Sequence, residues 1–190
     1  IAYEVTLSDE SIFAPSATNV QTGFRRAELQ IDTNNGTDSS TLGVKTLHFS
    51  IRKDNARPLN TSHEYQLVFL EDASFSTNQF VLKTGTIAGQ PAGQDPDLLV
   101  LVGNVNANPV VNLFNASFTP DVFHNFGITL DFDAKYVAFS ATLSSPGVMV
   151  LTLPTAQPQS STPPTPRPSQ LSTAPSRTTS AAKVNTTSAR

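Results

Sequence analysis

The chain has no cysteine and no tryptophan, and only one methionine and three tyrosines among its 190 residues. Without cysteine there can be no disulfide framework and no thiolate metal site. For the same reason, cysteine usage carries no information on redox compartment. No uninterrupted apolar run reaches the roughly 18 residues that would cross a membrane as a helix. Helical patterning is also missing: no segment sustains apolar residues at helical spacing behind a capping signal. There is no internal repeat, P-loop, dinucleotide fingerprint or Gly-x-Ser-x-Gly elbow.

Charge is scarce and unevenly spread. The net charge is −3, and all 15 acidic residues lie before residue 134. Four of the 12 basic residues, Arg167, Arg177, Lys183 and Arg190, fall near the end. Leaving those four out, the body carries 8 basic against 15 acidic groups, a net of −7. Phosphate backbones need a clustered basic surface, so nucleic acid is excluded as a partner, and a neutral ligand suits this body better than a polyanion. The chain opens on Ile1 and its only methionine is Met149. It is expected to be a mature or truncated piece, with any signal peptide upstream.

What is present is β-forming. Short runs rich in Val, Phe, Leu and Thr alternate with clusters of Asn, Asp, Gly, Ser and Pro. Strands are predicted near 1–8, 24–31, 44–53, 64–71, 79–86, 98–104, 109–115, 126–132, 135–143 and 147–153. Many short strands with regular turn signals indicate an all-β sandwich or barrel. In 24–31, Ala27, Leu29 and Ile31 point one way and Arg26, Glu28 and Gln30 the other. In 44–53, Leu47, Phe49 and Ile51 oppose His48, Ser50 and Arg52. The polar faces read either as solvated outer surfaces or as a concave polar groove.

From Pro154 to Arg190 the composition changes. This stretch holds seven of the 14 prolines and 15 serines or threonines, with no aromatic and no acid. It cannot bury enough apolar surface to offset its ordering entropy. A body over 1–153 followed by a disordered Ser/Thr/Pro-rich linker or stalk over 154–190 is therefore expected. Four N-x-S/T sequons, at Asn35, Asn60, Asn115 and Asn185, are candidate glycosylation sites. Together with the mucin-like tail they point to a secreted, extracellular or cell-wall protein.

Several motifs, in order, carry a resemblance. Arg25-Arg26-Ala27-Glu28-Leu29 is followed by His48-Phe49-Ser50-Ile51-Arg52-Lys53-Asp54, then by Glu64-Tyr65-Gln66-Leu67-Val68-Phe69-Leu70-Glu71, and later by Asp121-Val122-Phe123-His124-Asn125. This series resembles glycoside hydrolase family 131, the fungal β-glucanases, over about residues 24–143. Phe123 stands where the family's loop carries tryptophan, and the family's catalytic domain extends further at its N-terminus. The resemblance implies a β-jelly roll with a glucan cleft on one concave face. It also implies hydrolysis of β-1,3- and β-1,4-linked glucans without a cofactor, by inversion. The glutamates matching Glu28 and Glu71 are then the catalytic pair, with the residue matching His124 in the cleft.

The residues support that chemistry on their own terms. Glycoside hydrolysis needs a carboxylic acid to protonate the leaving oxygen and a carboxylate to act as base or nucleophile. The chain offers five glutamates: Glu4, Glu10, Glu28, Glu64 and Glu71. Glu28 lies mid-strand between Arg26 and Gln30, where an ion pair with Arg52 is the structural alternative. Glu71 follows Tyr65, Leu67 and Phe69, and apolar surroundings would suit it to be the acid. Glu71 is thus assigned as acid and Glu28 as base, with the reverse assignment open. His124 would hydrogen-bond a sugar hydroxyl or orient a carboxylate. Arg26, His48, Arg52 and Asn104 are candidate substrate-binding residues. His48, His63 and His124 lack metal-ligand spacing, so no metal is expected. The expected partner of this monomer is a β-glucan, and the expected activity an endo-acting hydrolase. A polysaccharide lyase on a similar jelly roll is one alternative, although it would have to neutralise a uronate on an acidic body. A non-catalytic glucan-binding relative is the other.

Overall fold

The computed structural model describes residues 4–27, 29, 39–71, 76–134, 136–143 and 182–184. Glu28, Asn35, Asn185 and the strand expected near 147–153 lie outside them. The described regular structure is a single 3₁₀ turn, Asp9–Ser11, and ten strands. These are β1 (Ile12–Ser16), β2 (Asn19–Arg25), β3 (Val44–Ile51), β4 (Glu64–Glu71), β5 (Asn78–Gly85), β6 (Leu98–Val102), β7 (Asn112–Ser117), β8 (His124–Asp131), β9 (Tyr136–Leu143) and β10 (Ala182–Val184).

The strands form a hairpin, β1-β2, and two larger antiparallel sheets ordered β10-β4-β5-β6-β7 and β3-β8-β9. The two sheets pack face to face as a jelly-roll β-sandwich. Phe80, Leu82, Leu99 and Leu101 from the five-stranded sheet meet Phe126, Ile128 and Leu130 from the three-stranded sheet in one core. Phe80, Leu82, Leu99 and Ile128 have no solvent exposure.

The two sheets differ in a way the sequence foreshadows. In β3 burial alternates residue by residue, with Leu47, Phe49 and Ile51 packed on the core. Its other face is wet, and there Thr46 meets the Thr129 hydroxyl at 2.9 Å and Ser50 donates to Asn125 Oδ1 at 2.5 Å. β4, β5 and β6 instead carry near-continuous apolar runs, the pattern of strands covered on both sides. Their second face holds Val100 and Val102, clustered with Ile87 and Leu98.

Some expected elements move. Residues 4–8 are irregular, and the first strand starts only at Ile12, after the 3₁₀ turn that Ser8 caps through the Glu10 N–H. The strand expected at 24–31 runs earlier, over Asn19–Arg25, because Ala17-Thr18 closes a hairpin back onto β1. Pro15 hides β1 from sequence reading, since proline fits only edge positions of a sheet. Within the tail, Ala182–Val184 run antiparallel to β4, Lys183 opposite Phe69.

Candidate active site

Four of the five glutamates are described, and their surroundings sort them. Glu4 is ion-paired with Arg57 on the surface. Glu10 sits exposed in the 3₁₀ turn. Glu64 is nearly enclosed: its Oε1 accepts from Lys83 Nζ at 2.9 Å and from Gln66 Nε2 at 3.0 Å, and its Oε2 accepts from the Ala88 N–H at 2.9 Å. Burial works to raise its pKa, but Lys83 and the hydrogen bonds outweigh it and hold the carboxyl below the ordinary range. A carboxylate held ionised by three donors is a structural anchor and a poor proton donor.

Glu71 is the described glutamate placed for chemistry. It ends β4, half-buried, opposite Asn78 of β5. Phe69, two residues earlier, pairs with Val81, and Val81 with Val102, which fixes this as the second face of the five-stranded sheet. Arg26 reaches over that face. Its guanidinium lies 4.7 Å from the Phe13 ring centroid and 5.9 Å from that of Phe69. Burial lowers the Arg26 pKa, and the negative charge of Glu71 opposes that change. Glu28, two residues further along the chain, lies outside the described residues. A cation at Glu71 also removes the purely apolar setting on which its assignment as the acid rests, so acid and base are left to the pair.

Asn104 belongs to the same end of this sheet. Its Oδ1 accepts from Thr77 Oγ1 at 3.1 Å and from the Asn106 N–H at 2.8 Å, while the Val105 N–H bonds to Asn78 O at 3.2 Å. The structure therefore brings Arg26, Glu71 and Asn104 to one region.

It does not bring the histidines there. His124 starts β8, directly opposite Ile51, on the core-facing side with Phe126 and Ile128. It is 1 % exposed, edge-on to Phe118 at 5.3 Å between ring centroids. Its Nε2 lies 3.4 Å from Thr119 O, and burial pushes its pKa down. A ring sealed in the core cannot touch a sugar in this arrangement. The reason lies in the alternation: a loop histidine followed by Asn125 and Phe126 inherits the inward parity of Phe126 once β8 begins two residues earlier than expected.

His48 is exposed on the outer face of the three-stranded sheet, opposite Gly127. That face and the Glu71 face are the two outer surfaces of the sandwich. Arg26 and the polar side of β3 thus lie on separate surfaces and do not form one groove. Arg52 follows β3 and stacks over Phe123, 5.5 Å from its centroid, with Phe123 41 % exposed. Among the described residues no group of three His, Asp or Glu side chains could hold a metal ion.

Sequence reasoning missed Phe13 and Phe69 as the clamp on Arg26, and it missed Asn78 as the residue paired with Glu71. Phe69 was legible as a β4 residue on the Glu71 face. Asn78-Gln79 reads as turn composition, and only strand pairing shows its position.

The sequence profile of the glycoside hydrolase 131 catalytic N-terminal domain matches residues 2–154. Among solved structures, a GH131 β-glucanase catalytic domain from Podospora anserina superposes with a TM-score of 0.67 at 22% identity, covering 97% of this chain. The catalytic domain of a family 131 protein from Coprinopsis cinerea superposes with a TM-score of 0.51, also at 22% identity, covering 79% of this chain. The chain spans 61% and 50% of those two structures. No curated protein matches it. With most of its length matched by the family's own domain, the chain belongs to glycoside hydrolase family 131.

Proposed function

We propose that the protein hydrolyses β-1,3- and β-1,4-linked glucans, endo-acting and with inversion, using Glu28 and Glu71 as its acid and base. The observation that carries this reading is Glu71 itself. It is half-buried at a strand end, on a face where Arg26 lies over Phe69, while Glu64 is tied up by Lys83. One glutamate would protonate the leaving glycosidic oxygen. The other would take a proton from the water that attacks the anomeric carbon from the opposite face of the ring. Proton and water balance, and no cofactor enters.

Inversion requires room for that water, with carboxyl groups roughly 6.5–9.5 Å apart, against about 5–5.5 Å in a retaining enzyme. Arg26 would hydrogen-bond sugar hydroxyls beside Glu71, and Asn104 would close the same end. His124, buried in the core, acts by holding the start of β8 against Phe118. His48 and Arg52 fall outside this site. The open surface positions of Asn60 and Asn115 support N-glycosylation and, with it, a secreted or cell-wall location. Residues 1–153 would be the catalytic body, a monomer, and 154–190 a linker or stalk that touches β4 through Ala182–Val184.

Product analysis on a panel of β-glucans tests the reading, with the anomeric form of the fresh product followed by NMR. Release of the α-anomer from a β-glucan is expected. Initial release of the β-anomer would replace inversion by a retaining mechanism with a nucleophile. Binding without release of reducing sugar would make the protein a glucan-binding relative. An unsaturated product would make it a lyase.

A further inference from the structure

Among the described residues, β4 has β5 on one side and only Ala182–Val184 on the other. Those three residues lie opposite Leu70, Phe69 and Val68, so residues 64–67 of the same edge have no strand beside them there. An edge strand offers main-chain N–H and C=O groups to any strand that approaches, because its ladder is filled on one side only.

The sequence of this edge is of the kind that recruits such a strand. Residues 65–70 read Tyr-Gln-Leu-Val-Phe-Leu, with no charge, no proline and no glycine. High β-propensity without charge is the signature of segments that pair with copies of themselves. Charged gatekeepers normally flank such a run, and Glu64 and Glu71 stand at its two ends. Glu64 serves poorly in that role, since Lys83 lies 2.9 Å from its carboxylate and offsets its charge. The side chains of Tyr65, Leu67, Val68, Phe69 and Leu70 are buried in the folded body, so what the edge presents is main chain.

The strand that covers it has the opposite character. Ala182–Val184 is three residues long and includes a lysine, and the 154–190 stretch around it holds seven of the 14 prolines. Very short strands, lysine and proline are devices that close a sheet edge without offering a new one. Three residues also supply few ladder hydrogen bonds, each of modest net worth in water, so this cover can be released.

We propose that the β4 edge is a self-association surface held closed by Ala182–Val184, and that β4 of a second copy pairs there, antiparallel, when the tail strand leaves. A second copy fits because twofold symmetry sets the same neutral segment on both sides of the contact. The antiparallel pairing with Ala182–Val184 shows that the edge accepts a strand in that direction. The tail is then more than a linker or stalk: it keeps the body monomeric, whatever the substrate.

The test compares the full chain with its Ala182→Pro/Lys183→Pro variant. Proline has no N–H and does not fit a ladder, so the double change breaks the pairing whichever of the two amides faces β4. Light scattering after size exclusion and hydrogen exchange over residues 64–71 are followed from low to high protein concentration. The full chain is expected to keep the mass of one chain. The variant is expected to approach about twice that mass as concentration rises. Its exchange over 64–71 should be about tenfold faster than in the full chain at low concentration, and should slow again on association. Adding Gln66→Lys puts a cation on the uncovered part of the edge in both copies and should return the variant to a single chain. A variant that stays a single chain at every concentration would overturn the proposal, as would association that Gln66→Lys leaves unchanged. A full chain already at twice the single-chain mass would overturn the closure. Should the variant not fold, hydrogen exchange of the unchanged chain decides. The amides of Ala182–Val184 should exchange at least about tenfold faster than those of Leu82 and Leu101 in the same sheet, by local opening. Exchange as slow as theirs would overturn a releasable cover.

Discussion

Glu71 pairs across the sheet with Asn78 where an unbroken ladder would give it Gln79. One skipped residue turns a strand end into a polar corner, with a carboxylate from β4 facing two amides from β5. The next ladder step inward, Leu70 opposite Phe80, is already core. Chemistry and packing meet at a single register shift.

The contrast between Glu71 and Glu64, at opposite ends of β4, gives the first prediction. Glu71→Gln keeps the volume and removes the ionisable group, so hydrolysis is expected to fall by about 10²–10⁴-fold with the fold retained. Glu64→Gln should leave the chemistry per folded molecule close to normal. It instead removes the charge opposite Lys83, whose side chain is only 14% exposed, at a cost of about 3 kcal/mol. Activity normalised to the folded fraction, beside urea unfolding, separates the two. Comparable losses of normalised activity would undo the division between chemistry and anchor.

Gly85 carries the second prediction. It ends β5 at φ 83°, in the left-handed region, and a Cβ there would lie 1.9 Å from His63 O. That carbonyl is fixed by the Thr86 N–H at 3.0 Å and belongs to backbone that cannot swing aside. Gly85→Ala should therefore destabilise by well over the ~1 kcal/mol of an ordinary left-handed glycine, because overpacking adds to it. Chemical denaturation measures the effect, and a loss under about 1 kcal/mol would contradict the geometry.

His124 gives a prediction in pH. Burial lowers its folded pKa below the ordinary 6.5, with Lys53 adding to the effect and Thr119 O opposing it. In the unfolded chain the imidazole binds a proton near its ordinary value, so between the two values the unfolded state holds more protons. Stability is then fully present above about pH 6.5 and is lost as pH falls toward the depressed value. The urea midpoint should rise from pH 5 to pH 7, and His124→Leu should flatten that rise. A variant that keeps the full slope would place its origin elsewhere. Lys53, the charged group facing this ring across Phe118, is held by Asp97 at 2.7 Å.

Much of this architecture could be read from the chain. Alternation in β3 placed Leu47, Phe49 and Ile51 on the core, as found. Two things were illegible for definite reasons. Alternation tells which residues share a face but not which surface of the sandwich that face becomes, so the polar sides carrying His48 and Arg26 were open to reading as one groove although the two residues lie on opposite sides. Parity also depends on where a strand begins, and a shift of two residues in β8 turned His124 from a loop ligand into core. The family motifs put Glu71 at the end of a strand, where β4 does end, because a motif travels with its strand, whereas the bulge at Gln79 is a property of two strands together.

The last prediction concerns the pair Arg26 and Glu71. The Arg26 guanidinium is partly desolvated by Phe13 and Phe69, which lowers its pKa, while the charge of Glu71 opposes that shift. The charge of Glu71 therefore favours the charged form of Arg26. Arg26→Met keeps a long apolar side chain against the two rings and removes the cation, so it should cost the cation–ring contacts, about 0.5–2 kcal/mol, together with the attraction to Glu71. Glu71→Gln removes one of the charges that offset the burial of Arg26, for a smaller loss. Made together, the two changes should cost less than their sum, because once the cation is gone the anion has nothing there to stabilise. The coupling energy expected for such contacting charges is about 0.5–1 kcal/mol, and it should shrink at high salt since the site is only partly shielded from water. A double-mutant cycle by urea unfolding at low and high ionic strength measures it. Strict additivity at low salt would mean that the two residues share a face without sharing an interaction, and Arg26 would then lose its proposed role beside Glu71.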